Sequence, residues 1–303
     1  MCAWETRVGP VGREGGVVAG EASPTMRRRQ AGAELRRLRD AAGITIDQAA
    51  ARLDCSASKI SRMETGAGVQ RPRDVTELLD FYEVTAEETR AELLALVRDS
   101  NEQDWWHNYP DAVPRWFERF MAAESSAVSV EEFDCQLVPG LLQTPDYARA
   151  VMRAANTSLD DDEIDRRVVV RMERQNRLAG EDPLSLSVVL DESVLRRHVG
   201  GRDVMRAQLE RLADRAAQPN ITIQVLPFTL GAYAAFGHPF TIMSFPVPPG
   251  GEVVHMDQLH SGLYLERPSD LRRYRLAMNR LRAAALDAEQ SRNAIIKAVE
   301  DLT

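Results

Sequence analysis

Little in this chain belongs to a secreted scaffold, a membrane protein or a common enzyme. Its 303 residues include three cysteines, Cys2, Cys55 and Cys135. An odd, widely spaced set builds no disulfide framework and offers no CxxC pair for a structural metal, which fits a reducing, cytoplasmic setting. No apolar run approaches the roughly 20 residues needed to cross a bilayer. Residues 1–25 hold no compact apolar segment between a basic start and a small-residue cleavage site, so no secretory leader is expected. HExxH, P-loop and nucleophile-elbow patterns are absent, and "GGRDVMRAQ" lacks the third glycine of a dinucleotide fingerprint.

What is present is a globular composition, 44% hydrophobic and 28% charged, long enough for two domains. The formal net charge of -8 is unevenly spread. Between Met26 and Arg73 there are 11 Lys and Arg against 5 Asp and Glu, a net of +6, while residues 74–303 carry -13. A local basic module on an acidic protein is the electrostatic footprint of a phosphate-backbone binder. Residues 1–25 are rich in glycine and turn formers and read as disordered. Met26, next to the first periodic segment, is an alternative start.

Within the module, "GAELRRLRDAAG" places Leu35, Leu38 and Ala42 on one helix face and ends at Gly43. Thr45 caps a second helix with Ile46, Ala49, Ala50 and Leu53 inward. "DCS" is a tight turn in which Asp54 is expected to take a positive φ. Ser56 caps a third helix anchored by Ile60 and Met63 and stopped by Gly66. Two short helices across a three-residue turn, with the small Ala50 at their crossing, make a helix-turn-helix. A fourth helix begins near Pro72 with Val75, Leu78, Leu79 and Tyr82 inward. Thr85 and Glu88 suggest a capping box for a fifth.

The motifs "TIDQAA", "SxxxISR" and "METG" resemble the helix-turn-helix of the phage-repressor-like family often called the xenobiotic-response-element family. The resemblance implies an ion pair between Arg39 and Glu64. Asp54 departs from the glycine common in that family. If the third helix is a recognition helix, its first turns meet base edges in double-stranded DNA. Ser56 opens that helix, and Ala57, Ser58, Ser61 and Arg62 then face the major groove. Arg62 is suited to guanine O6 and N7, and Ala57 to a thymine methyl. Thr45, Gln48, Lys59 and Arg28 are expected at phosphates.

Beyond residue 100, "DWWHNYPDAVPRWFERF" gathers three of the four tryptophans, read as core at a domain junction ahead of a ligand pocket. Thr144 and Pro145 open a helix. "DDDEIDRRVVVRMERQNRLAG" is another, with Ile164, Val168 and Met172 as its stripe. "LSLSVVLDES" and "NITIQVLPF" flank "RDVMRAQLERLADRAA" as a β-α-β unit, and "PFTIMSFP", "GEVVHMD" and "SGLYLE" are further strands. Two helices close the chain. The expected fold is therefore an all-α five-helix bundle over 26–99, followed by a mixed α/β regulatory or partner-binding domain over 100–303.

"VPGLLQTPDYARAV", "VVVRMERQNRL", "VLDESVLRRHVGG" and "LRAAALDAEQSR" resemble the domain that follows the helix-turn-helix in WhiJ-like actinobacterial regulators. That resemblance implies a transcriptional regulator, often paired with a small protein in an antitoxin-like arrangement, and it supplies no catalytic or ligand residues. As an enzyme, the best constellation would be His255, Asp257 and His260, with His238 or His198 recruited. Scattered histidines are more often hydrogen-bonded structural groups, so neither catalysis, a metal nor a cofactor is expected. The sequence thus reads as a cytoplasmic, sequence-specific DNA-binding regulator, a homodimer with no membrane attachment. The alternative is an antitoxin-like protein that neutralises a small cognate partner and autoregulates through DNA.

Overall fold

The structure is a computed structural model that describes residues 24–100, 104–109, 112–246 and 251–302. Most of the segment expected to be disordered, with Cys2, lies outside the described residues. Its last two residues do not fit that expectation, because Pro24 and Thr25 begin the first helix.

Five helices form the N-terminal half: α1 (Pro24–Ala41), α2 (Ile46–Arg52), α3 (Ala57–Glu64), α4 (Pro72–Phe81) and α5 (Glu87–Asp99). Leu35, Ala49, Ala50, Ile60, Met63, Val75, Leu78, Leu79, Leu93 and Val97 meet in one core. Thr45 and Gln48 form a reciprocal capping box at α2, and Asp54 takes φ 48° in the turn before α3. Two local expectations fail. Ala42 is exposed, since α1 ends at Ala41 and Ala42 already belongs to the turn made by Gly43. Thr85 does not cap α5: Ala86 occupies the cap position without a side-chain bond, and Glu87 and Glu88 face the helix dipole instead.

Helix α1 crosses the end of α3 at Gly32. A Cβ there would lie 2.5 Å from the Met63 carbonyl oxygen and 2.7 Å from that of Glu64. The obstacle is backbone, so it yields only if a helix moves. Gly32→Ala should therefore destabilise the bundle by about 1–3 kcal/mol despite alanine's better helix propensity. Denaturant unfolding would check this, and a gain in stability would contradict the contact.

The C-terminal half is a mixed α/β domain. It comprises α6 (Arg115–Ser126), β1 (Ser129–Asp134), α7 (Pro145–Ala155), α8 (Asp161–Arg174), β2 (Ser185–Asp191), α9 (Glu192–Arg196) and α10 (Arg202–Arg215). Then follow β3 (Ile221–Leu226), β4 (Phe240–Ser244), β5 (Glu252–Asp257), β6 (Gly262–Leu265), α11 (Pro268–Ala284) and α12 (Ala288–Glu300). The six strands form one sheet in the order β3-β2-β1-β4-β5-β6, parallel from β1 to β3 and antiparallel from β1 through β4 and β5 to β6. The expected β-α-β unit is β2-α10-β3.

Strand β1 lies near the middle of the sheet, although its sequence, "SVEEFD", shows no apolar alternation. Glu131 turns to the face covered by α11, where Arg275 and Arg282 meet its carboxylate. Glu132 and Asp134 share the opposite face with Val130. There, Glu124 and Arg174 form a buried bidentate pair at 2.7 Å. The tryptophan-rich segment supplies a satellite core, in which Trp106 is buried with Met121, Ala122 and Val170. The two halves touch through α1 and α6, and Glu266 accepts from Arg29 at 3.2 Å and from Arg119 at 2.6 Å.

The Glu132 face contains two displaced titrations. Burial, with the charges of Asp134, Glu124 and Asp257, raises the Glu132 carboxyl to about 8 against the pull of Arg174. Burial, aided by Arg119, lowers His255 to about 4. Glu132 contributes stability fully below its ordinary 4.5 and loses it as pH rises through about 8. His255 contributes above its ordinary 6.5 and loses it as pH falls through about 4. Glu132→Gln should flatten the loss of stability on raising the pH from about 4.5 to 8, and His255→Gln the loss on lowering it from about 6.5 to 4. Urea midpoints across the pH range test both, and an unaltered slope between about pH 6.5 and 8 in E132Q would show that Glu132 titrates normally.

Candidate nucleic-acid interface

Helix α3 has eight residues, too few to hold a helix alone. Its position comes from three sources. The Ser56 hydroxyl accepts from the Lys59 amide at 3.2 Å and caps the first turn. Ile60 and Met63, each 1% exposed, fix one face in the core. Glu64 fixes the far end: the Arg39 Nε donates to Oε1 at 2.6 Å and Nη2 to Oε2 at 3.0 Å. Both side chains are buried, and the carboxylate holds the Arg39 guanidinium above its ordinary value. A third Arg39 nitrogen, Nη1, donates to the Ile44 carbonyl at 2.8 Å, just before α2.

With that face committed, Ser58, Ser61 and Arg62 are exposed on the other. Arg62 borders a shallow cleft of about 320 Å³ shared with Ser58, Lys59, Val69, Arg71 and Asp74. Val69, 62% exposed, projects from the loop after α3. Gln70 secures that loop by donating from Nε2 to the carbonyls of Met63 at 2.6 Å and Arg28 at 3.0 Å. Sequence reasoning missed Gln70, Val69, Arg71 and Asp74, because nothing in a loop's composition says that it folds back beside a recognition helix.

The remaining expected contacts divide. Thr45 and Gln48 are exposed at the start of α2, with Thr45 N–H donating to Gln48 Oε1 at 2.8 Å. Ala57 is half-buried, and its methyl packs against the module core. Lys59 is neutralised by Asp74 at 2.7 Å. Arg28 is not part of a solvated tail: it sits in α1 and its Nη2 donates to the Ser100 carbonyl at 2.6 Å, closing α1 onto the end of α5.

The residues considered for catalysis do not converge as a set. His255 is buried, 3.4 Å from Asp257, between the rings of Phe120 and Tyr264. His260 is exposed in the turn before β6, and His198 and His238 stand in other loops. Among the described residues, no group of three His, Cys, Asp or Glu side chains could hold a metal ion, and no helix is long and apolar enough to cross a membrane.

Removing the Glu64 carboxylate leaves the buried guanidinium only the exposed Asp40 carboxylate at 2.7 Å and the Ile44 carbonyl. Glu64→Ala should cost about 1–3 kcal/mol, below the range for leaving a buried charge wholly unpaired. Hydrogen exchange of the α1 and α3 amides in the full chain would register the loss, and unchanged protection would show that the pair does not hold α3.

Comparison with known proteins agrees with this division of the chain. Residues 30–93 match a family model described as a helix-turn-helix domain. Residues 117–297 match a second, described as a domain of unknown function (DUF5753). No curated protein and no solved structure matches the chain. The second model spans more than half of the chain, which therefore belongs to the DUF5753 family, and the helix-turn-helix domain ahead of it makes the protein a DNA-binding regulator.

Proposed function

We propose that the protein is a sequence-specific transcriptional regulator of the phage-repressor-like kind, reading a two-half-site operator as a homodimer, with its C-terminal half sensing an effector. The outward face of α3 carries this reading. Its hydroxyls, Ser58 and Ser61, both donate and accept and so discriminate bases poorly. The Arg62 side chain is exposed and has no ion-pair or hydrogen-bond partner among the described residues; of the two other cations on its cleft, Lys59 is neutralised by Asp74 and Arg71 stands on the rim. A bidentate arginine contact to guanine is the most informative available to this face. The -13 charge of residues 74–303 opposes non-specific DNA association and leaves attraction to the basic module.

The antitoxin-like reading has the same acidic surplus in its favour, since it suits a small basic protein. The WhiJ-like resemblance points the same way. Co-purification of such a protein with the full chain, released by high salt, would support it.

Arg62→Ala should cost roughly 1–3 kcal/mol on the operator and relax the preference at one guanine per half-site. Arg71→Ala, on the rim of the same cleft, should weaken all sequences alike and reduce the salt slope by about one. Titrations on the operator and a guanine-substituted operator at several salt concentrations separate the two. Equal loss on both sites for Arg62→Ala would make Arg62 a phosphate contact and displace the reading face.

A further inference from the structure

Strands β3 and β4 are consecutive in the chain but not in the sheet, because β2 and β1 lie between them. The connection, residues 227–239, therefore passes the carboxyl ends of both. Tyr233 marks the crossing. Its hydroxyl donates to Asp191 Oδ2 at 2.6 Å, at the end of β2, and its ring meets Phe133 of β1 edge-on at 5.7 Å. A cleft of about 530 Å³ lies against this strap, lined by Cys135, Asp191, Phe228, Tyr233 and Phe236. That size falls within the range of small-molecule sites, about 300–1,000 Å³. The position, outside the carboxyl ends of the parallel strands, is the end of the sheet at which open α/β folds take ligands.

The lining has a definite chemistry. Phe228 and Phe236 are 56% and 61% exposed, unusual for phenylalanines, and Phe236 lies 5.0 Å from the Tyr233 ring. They offer ring faces to a flat apolar body. The polar end is Asp191, 8% exposed. Its Oδ1 accepts from the Ser193 amide at 2.8 Å and its Oδ2 from Tyr233, so each oxygen keeps a further acceptor site. The residues lining the cleft include no Lys, Arg or His. Burial, with Asp134 and Asp191, raises the Cys135 thiol, and burial with the Asp191 bond keeps the Tyr233 phenol protonated. The lining therefore carries one carboxylate, Asp191, and no cation.

We propose that this cleft is the effector site of the C-terminal half and takes a small aromatic molecule bearing a cationic nitrogen, its ring on Phe228 and Phe236 and its nitrogen on Asp191. The proposal rests on the sensing role argued above and adds the site and the ligand class. Anionic aromatics are excluded by the uncompensated carboxylate, and the aromatic wall selects flat rings over flexible chains.

Three isosteric probes on the full chain test the site: naphthylmethylamine, naphthylmethanol and naphthoate, titrated by intrinsic fluorescence and calorimetry. The amine should bind roughly tenfold tighter than the alcohol, the gain of one charge-assisted hydrogen bond, and the naphthoate should not bind. Asp191→Asn keeps the cap on α9, because asparagine caps as well as aspartate, and should remove the preference for the amine. Phe236→Ala alters an exposed side chain and should weaken the amine and the alcohol alike. Absence of saturable binding, equal affinity for all three probes, or amine binding indifferent to both substitutions would overturn the site. The same amine added to an operator titration examines the sensing role separately. A shift in operator affinity that Asp191→Asn abolishes supports it, and binding without any shift overturns the effector assignment while the binding data still judge the cleft.

Discussion

The Arg39 guanidinium holds the DNA-binding half in register. It emerges near the end of α1, grips the last residue of α3 in a bidentate pair and reaches the carbonyl before α2, so one side chain fixes the ends of three helices. A buried ion pair is a poor source of net stability, since well-packed apolar groups often replace it without loss. Its value here is directional. Two parallel hydrogen bonds permit one orientation of Glu64, and a helix of eight residues oriented at its end and packed through Ile60 and Met63 has no freedom to roll. The close crossing at Gly32 acts on the same region: α1 can approach the carbonyls of Met63 and Glu64 only where no Cβ stands between. What reaches the outward face, Arg62 above all, is decided by this inward geometry.

The C-terminal half uses the same device where its core would otherwise be hardest to build. A strand with three carboxylates lies inside the sheet, and arginines from distant elements make it tolerable. Arg275 and Arg282 of α11 meet Glu131 on one face. On the other, Arg174 of α8 pairs with Glu124 of α6 near Glu132, its guanidinium 5.3 Å from the ring of Phe117 and from that of Phe120. Among the described residues Glu132 has no such ion-pair partner, and its carboxyl is pushed up to about 8. Charge that cannot be paired is neutralised by titration instead.

The same sheet order that buries β1 leaves a crossing segment at the carboxyl ends of the parallel strands, and with it a cleft. Elsewhere, a single carboxylate, Glu266, joins the halves by bridging Arg29 of α1 and Arg119 of α6. Arg119 also covers the Tyr264 ring at 3.9 Å, so the bridge stands on the far end of the sheet from the β2–β3 side. Surface ion pairs of this kind contribute little energy. The packing of α1 on α6 beside it is what brings the two halves together.

By itself the sequence determined the local elements of the DNA-binding half. Thr45 and Ser56 signal caps, Asp54 a left-handed turn, and Ile60 and Met63 a buried face, because each depends on neighbours within four residues. The β-α-β unit was legible for the same reason, its strands being apolar runs bounded by turn residues. The pairing of Arg39 with Glu64 came from resemblance, since 25 residues separate them. Tertiary structure alone decided the rest. Strand β1 was invisible because its carboxylates find partners more than 140 residues away, in Arg275 and Arg282. Arg28 and Lys59 looked like free cations until Ser100 and Asp74 proved to be beside them. The cleft at Asp191 exists only because two consecutive strands are not neighbours in the sheet. Local pattern fixes which face of an element is apolar, and only folding decides which distant charge or ring that element will meet.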